Sequence, residues 1–201
     1  MTDYFSLFSE PRRPWLEPEV LKQKFHSLST SLHPDRIHAA GAAARSDAAK
    51  SFAELNAAYT CLAEPKSRLL HLLELELGAK PKDIEQIPAA LAELFAQVAE
   101  TCRSADGFLA EKSRVTSPLL QVQWFERGQD WIEKLQALQQ ELNGLKEQVL
   151  TELKALDARW LQAAAAARPE ILPNLEELYR LFGYLNRWSK QLQERLVQLA
   201  F

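Results

Sequence analysis

Apolar residues recur along most of this chain at intervals of three and four, the spacing of one face of an α-helix. Leu21, Phe25, Leu28 and Leu32 form one such stripe, and Ala48, Phe52, Leu55, Tyr59 and Leu62 form a second. The connection between them is too short for a domain crossing, so the pair reads as an antiparallel helical hairpin. Pro18 suits the first turn of the earlier helix. Pro34 disfavours helical dihedrals at His33 and ends that helix there. Ile37 to Arg45, with an Ala-Gly-Ala centre, is the loop at the hairpin tip. Ahead of the hairpin, Asp3 to Phe8 predicts a short helix capped by Asp3 or Thr2, and Pro11, Pro14 and Pro18 bracket a loop carrying Trp15. Behind it the third helix ends near Ala63, Pro65 starts a fourth over Leu69 to Leu77, and Gly78 suits the residue that closes a helix.

Lys80-Pro81-Lys82 reads as a boundary between two halves. Beyond it, Ala89 to Cys102 is amphipathic, and Arg103 to Pro118 is less regular, with Gly107 and Pro118 as breaks. From Leu119 to Arg168 the helical signal is nearly continuous. Trp131, Leu135, Leu138, Leu142, Leu145, Val149, Leu153, Leu156 and Trp160 step by three or four throughout. The extra step of four from Val149 to Leu153 moves the repeat from a strict heptad towards 3.6. Asn143-Gly144 is a turn signal that would split this span, but the unbroken stripe favours one long helix. Pro169 and Pro173 close it, and Asn174 caps a last helix over Leu175 to Leu199. Scarce glycine and few β-branched residues agree with helix nearly everywhere. The expected architecture is all-α: a helical hairpin with short flanking helices in residues 1–78, then an elongated helical bundle in 79–201.

Composition narrows the function. With 201 residues, 47% hydrophobic and 25% charged, the chain is an ordinary globular protein of one or two domains. A net charge of −3 supplies no basic field for nucleic acid. Cys61 and Cys102 are isolated, so neither a zinc knuckle nor a disulfide framework is indicated. No apolar run approaches the roughly 20 residues that span a bilayer, and the start lacks the features of a secretory signal. These readings exclude membrane and nucleic acid as partners and place the chain in the cytoplasm.

The candidate chemistry lies in His33-Pro34-Asp35, an imidazole, a rigid ring and a carboxylate displayed at a hairpin tip. That is a protruding recognition element. A catalytic reading makes His33 a base oriented by Asp35, yet no activated nucleophile or glycine-rich oxyanion loop accompanies it. A metal-assisted hydrolase using His33, Asp35 and His38 has only two imidazoles and one carboxylate on a loop. A plain structural turn explains Pro34 and Asp35 but leaves His33 arbitrary. No catalytic residue, metal ligand or cofactor is assigned.

These residues resemble the J-domain family of co-chaperones. Asp3-Tyr4-Phe5 opens the first helix, Leu21 to Leu32 precede His33-Pro34-Asp35-Arg36, and Phe52-Ala53-Glu54-Leu55-Asn56-Ala57-Ala58-Tyr59 is similar to the family's F-x-x-(I/L)-N-x-A-Y signature. The resemblance implies docking on a DnaK-type, HscA-like ATPase chaperone and stimulation of its ATP hydrolysis. His33, Pro34, Asp35 and Arg36 would carry the contact, with the basic face of the second helix meeting an acidic surface. Here that face keeps Lys22 and Lys24, with His26 and Ser27 where cations are common in the family.

Within the family, the D-Y-F-x-L-F start at Asp3 to Phe8 and the run Pro65 to Gly78 resemble the HscB-type co-chaperones of iron–sulfur cluster assembly. That likeness implies a helical bundle that holds the cluster scaffold protein, with residues 79–117 as an added segment. Leu119-Leu120-Gln121-Val122-Gln123-Trp124-Phe125-Glu126-Arg127 is similar to the group's scaffold-binding run, and Tyr184-Leu185-Asn186-Arg187 to its F-L-D-K run. Leu119, Leu120, Trp124, Phe125 and Tyr184 are therefore the expected client contacts. The alternative within the family is a bundle that binds another client or serves as a tether.

Overall fold

Asp3 begins the first helix as its chemistry predicts: its carboxylate accepts from the backbone N–H groups of Phe5 and Ser6, satisfying donors that a helix start leaves orphaned. In the computed structural model, which describes residues 2–32, 42–81, 87–115 and 118–200, the chain is helical in order. The α-helices are α1 Tyr4–Leu7, α2 Pro18–Leu32, α3 Ala42–Ala63, α4 Pro65–Leu77, α5 Ala92–Lys112, α6 Pro118–Gln162 and α7 Leu172–Ala200, with 3₁₀ turns at Ala89–Leu91 and Ala165–Glu170. No strand occurs among the described residues. Among them, too, no helix is long and apolar enough to cross a membrane.

Four boundaries differ from expectation, each for a local reason. Gly107 does not break α5, which runs through it; a glycine costs a helix only about 1 kcal/mol against alanine. In agreement with the unbroken stripe, Gly144 sits inside α6, so Asn143-Gly144 makes no turn and the span is one helix of 45 residues. That helix ends at Gln162 rather than near Arg168, and Ala165–Glu170 tightens into a 3₁₀ turn ahead of Ile171. Finally, α7 starts at Leu172, three residues early, because Pro173 is tolerated in a first turn. Residues 42–45, expected in the tip loop, belong to α3. Gly78 closes α4 with φ +70, donating its N–H to the Glu74 carbonyl.

The chain divides into two compact units that do not follow chain order. The first comprises Met1–Lys82 and Thr151–Arg180, the second Asp83–Leu150 and Leu181–Phe201. In the first, Leu21, Leu55, Ala58, Leu62, Leu69, Leu72 and Leu73 form the buried centre. Phe25 stacks on Tyr59 with ring centroids 4.3 Å apart, tying α2 to α3. The C-terminal stretch of α6 belongs to this unit through Leu153, Leu156 and Trp160, all buried. Asp157, 4% exposed, accepts from Arg13 Nε and the Trp15 N–H, each at 3.0 Å, and pairs with Arg13 Nη2. Trp160 Nε1 donates to the Arg12 carbonyl at 2.8 Å. The loop bracketed by prolines is thereby anchored on a helix more than 140 residues later in the chain.

Two buried cationic or cation-capable groups sit in this unit. Arg68, 2% exposed, donates to the carbonyls of Pro14 and Leu62 at 2.8 and 2.6 Å, and lies 5.4 Å from the Trp15 ring. Burial draws its guanidinium down to about 10, still charged at any physiological pH. His71 accepts the Tyr4 N–H at Nε2, 3.1 Å away, and stacks on the Tyr4 ring. That bond requires the neutral Nδ1–H tautomer, because a protonated imidazole has no acceptor.

Burial holds the His71 pKa below its usual value of about 6.5. The unfolded chain therefore takes up a proton at a higher pH than the native one. The stability His71 contributes is complete above about pH 6.5 and is lost as pH falls towards the lower native value. Denaturant unfolding at pH 7.5 and 5.5 should show the wild type losing stability, with a shallower loss in His71→Gln, whose amide oxygen can accept the same N–H without titrating. Equal losses in both proteins would remove His71 as the source.

In the second unit, α5, the N-terminal part of α6 and the C-terminal part of α7 pack as a bundle around Leu94, Val98, Ala105, Phe108, Leu135, Leu142, Leu185, Trp188 and Leu192. Gln139 of α6 donates to Ser189 of α7 at 3.1 Å. Arg195 of α7 reaches α5, donating to Asp106 at 2.6 Å and to the Cys102 carbonyl at 3.2 Å.

Candidate functional site

The hairpin that carries the tripeptide is built by α2 and α3, and its exposed faces frame the first candidate surface. His33, Pro34, Asp35 and Arg36 lie outside the described residues, as does His38 of the rival metal set. Among the described residues no three His, Cys, Asp or Glu side chains cluster as a metal site. On α2, Lys22 and His26 are both exposed and four residues apart, so they share one face. Lys24 stands elsewhere. Its ammonium reaches back to the loop after α1, 2.5 Å from Glu10 Oε1 and 3.4 and 3.5 Å from the Phe8 and Ser9 carbonyls. The structure therefore groups Lys22 with His26 and separates Lys24 from them. Nothing in the sequence flags Glu10 as its partner, since the contact bridges a loop rather than a helical spacing.

The second candidate surface lies in the bundle. The side chains of Leu119 and Leu120 lie outside the described set. Trp124 is half-buried, its ring 5.0 Å from Phe108, with the Arg127 guanidinium 4.4 Å from its own centroid. Phe125 is 65% exposed, an unusual state for a large apolar side chain. Trp124 and Phe125 line an open cavity of about 310 Å³ together with Lys112, Val115 and Leu199. Tyr184 is half-buried against Trp188, 5.8 Å between centroids, and Trp188 in turn faces the 41% exposed Phe95. Along α7, Tyr184 precedes Leu199 by fifteen residues, about 22 Å at 1.5 Å per residue. The structure thus sets Trp124 and Phe125 at one end of the bundle and Tyr184 well along it, against Trp188, whose ring also faces Phe95.

Neither cysteine offers a nucleophile. Burial pushes the Cys61 thiol up to about 11, and raises Cys102 as well, so both stay protonated near neutral pH.

Comparison with known proteins agrees with the all-α fold. The co-chaperone protein HscB homolog of Bordetella pertussis is 40% identical over 72 residues, 36% of this chain and 42% of that protein. The homolog of Bordetella avium is 36% identical over 72 residues, 43% of its length. The chain thus spans less than half the length of the curated relatives it matches. No protein-family model matches. Among solved structures, the chaperone HscB from Vibrio cholerae superposes with a TM-score of 0.67 at 21% identity, covering 98% of this chain and 99% of that one. Human co-chaperone protein HscB gives 0.59 at 18% identity, over 98% and 81%. In part of its sequence and in the whole of its fold, this all-α chain is similar to the HscB-type J-domain co-chaperones.

Proposed function

We propose that this chain is a cytoplasmic co-chaperone whose first 78 residues act as a J-domain. It docks on a DnaK-type, HscA-like ATPase chaperone and stimulates ATP hydrolysis there, contributing no catalytic group of its own. His33, Pro34, Asp35 and Arg36 make the contact, and Lys22, Lys24 and His26 on α2 meet an acidic surface. The observation that carries this reading is the His33-Pro34-Asp35 run between two helices that pack through Phe25 and Tyr59. The likeness to HscB proteins supports it. Its test is steady-state ATP hydrolysis by a DnaK-type chaperone with increasing amounts of the chain. Several-fold stimulation is expected, and none at saturating amounts refutes the docking role.

The bundle, residues 79–201 in chain order, presents an iron–sulfur cluster scaffold protein to that chaperone through Leu119, Leu120, Trp124, Phe125 and Tyr184. Phe125 supports the reading, because an exposed aromatic beside an apolar cavity is what a partner protein would cover. Pull-down of the purified scaffold protein should retain it at micromolar concentration, and Phe125→Ser should weaken retention. If the scaffold is not retained by the wild type, the bundle serves another client.

A further inference from the structure

We propose that Glu10 sets which cations of α2 are available for docking, by holding Lys24 in an internal ion pair that an acidic partner must compete for. This inference rests on the docking role assigned to α2. Three consecutive residues converge on one ammonium: the Phe8 carbonyl, the Ser9 carbonyl and the Glu10 carboxylate. An ammonium has three N–H donors, and here each has an acceptor. The loop is shaped for it. Ser9 is the one described non-glycine residue with positive φ, at +51, and Glu10 is pinned by its N–H to the Phe5 carbonyl at 2.9 Å. Side-chain exposure is 15% for Glu10 and 36% for Lys24, so the carboxylate is the sheltered member and the ammonium stays within reach of solvent.

A partner carboxylate approaching α2 therefore meets Lys22 as an open cation beside the exposed His26 imidazole, and Lys24 as a cation already paired. Releasing Lys24 adds one positive charge to the face, which strengthens attraction to an acidic surface and its salt dependence. An ordinary structural staple has the opposite signature, since breaking it loosens the loop and weakens docking.

The experiment is the concentration of chain giving half-maximal ATPase stimulation, measured for wild type, Glu10→Gln, Lys24→Gln and the double variant. Thermal unfolding of each confirms that it is folded. Glu10→Gln is expected to lower the half-maximal concentration by about two- to fivefold at low salt, the range of a single screened charge. That gain should vanish above roughly 0.5 M salt. Lys24→Gln should cost more in the Glu10→Gln background than in the wild type. An unchanged or raised half-maximal concentration for folded Glu10→Gln, with the wild type still stimulating, overturns the inference and leaves the docking role standing. Absence of stimulation by the wild type overturns both.

Discussion

Exchange of His33 for glutamine is expected to abolish ATPase stimulation while leaving the helical content of the chain unchanged. Glutamine keeps a neutral side chain able to donate and accept, so the loss isolates the imidazole itself. A recognition hot spot typically contributes about 2 kcal/mol or more, a roughly thirtyfold loss of apparent affinity. The fold should not notice. The hairpin is held by Leu21, Leu55, Leu62 and the Phe25–Tyr59 stack, all of them residues outside the tripeptide. Stimulation curves and far-ultraviolet circular dichroism on the same preparation check both halves of the expectation. Equal stimulation by the two proteins would take the tripeptide out of the mechanism, and a loss of helicity would make the variant uninformative about contact.

The largest stability effect is expected for Trp160→Ala. This side chain is fully buried, donates Nε1–H to the Arg12 carbonyl at 2.8 Å, and has the Arg168 guanidinium 5.1 Å from its ring. Truncating a buried aromatic to alanine typically costs about 3–5 kcal/mol, through lost burial and the cavity left behind. Here it also strips the Arg12 carbonyl of its donor and loosens the loop that Asp157 holds through Arg13 and the Trp15 N–H. Against a usual total of about 5–15 kcal/mol, that is a large share. Urea unfolding followed by tryptophan fluorescence and by circular dichroism measures it. A cost below about 1 kcal/mol would mean that the long helix does not anchor the proline-bracketed loop.

Helix identity was legible because it rests on local spacing. The stripes through α2, α3 and α6 are periodic over several turns, and Asp3, Pro65 and Gly78 are punctuation whose effect is confined to one turn. The errors were local too. Gly107 read as a break because glycine is a weak helix former, yet its cost is small beside the packing of Ala105 and Phe108 around it. The His33-Pro34-Asp35 run proposed for docking was visible as residues, as was the Trp124-Phe125 pair proposed for client contact.

What no spacing rule reaches is a partner distant in the chain. The hydrophobic pattern by itself determined an all-α chain, its hairpin and one unbroken α6, since each is decided by neighbours within a few residues. Only the tertiary structure decided that residues 151–180 join the first 82 in one compact unit, because that follows from Asp157 and Trp160 meeting Arg12, Arg13 and Trp15. It alone decided that Lys24 faces Glu10 while Lys22 and His26 stay open, and that Phe95 sits near Trp188. Burial and ion pairing between remote segments depend on how helices stack, and a one-dimensional pattern records which face is apolar without recording what covers it.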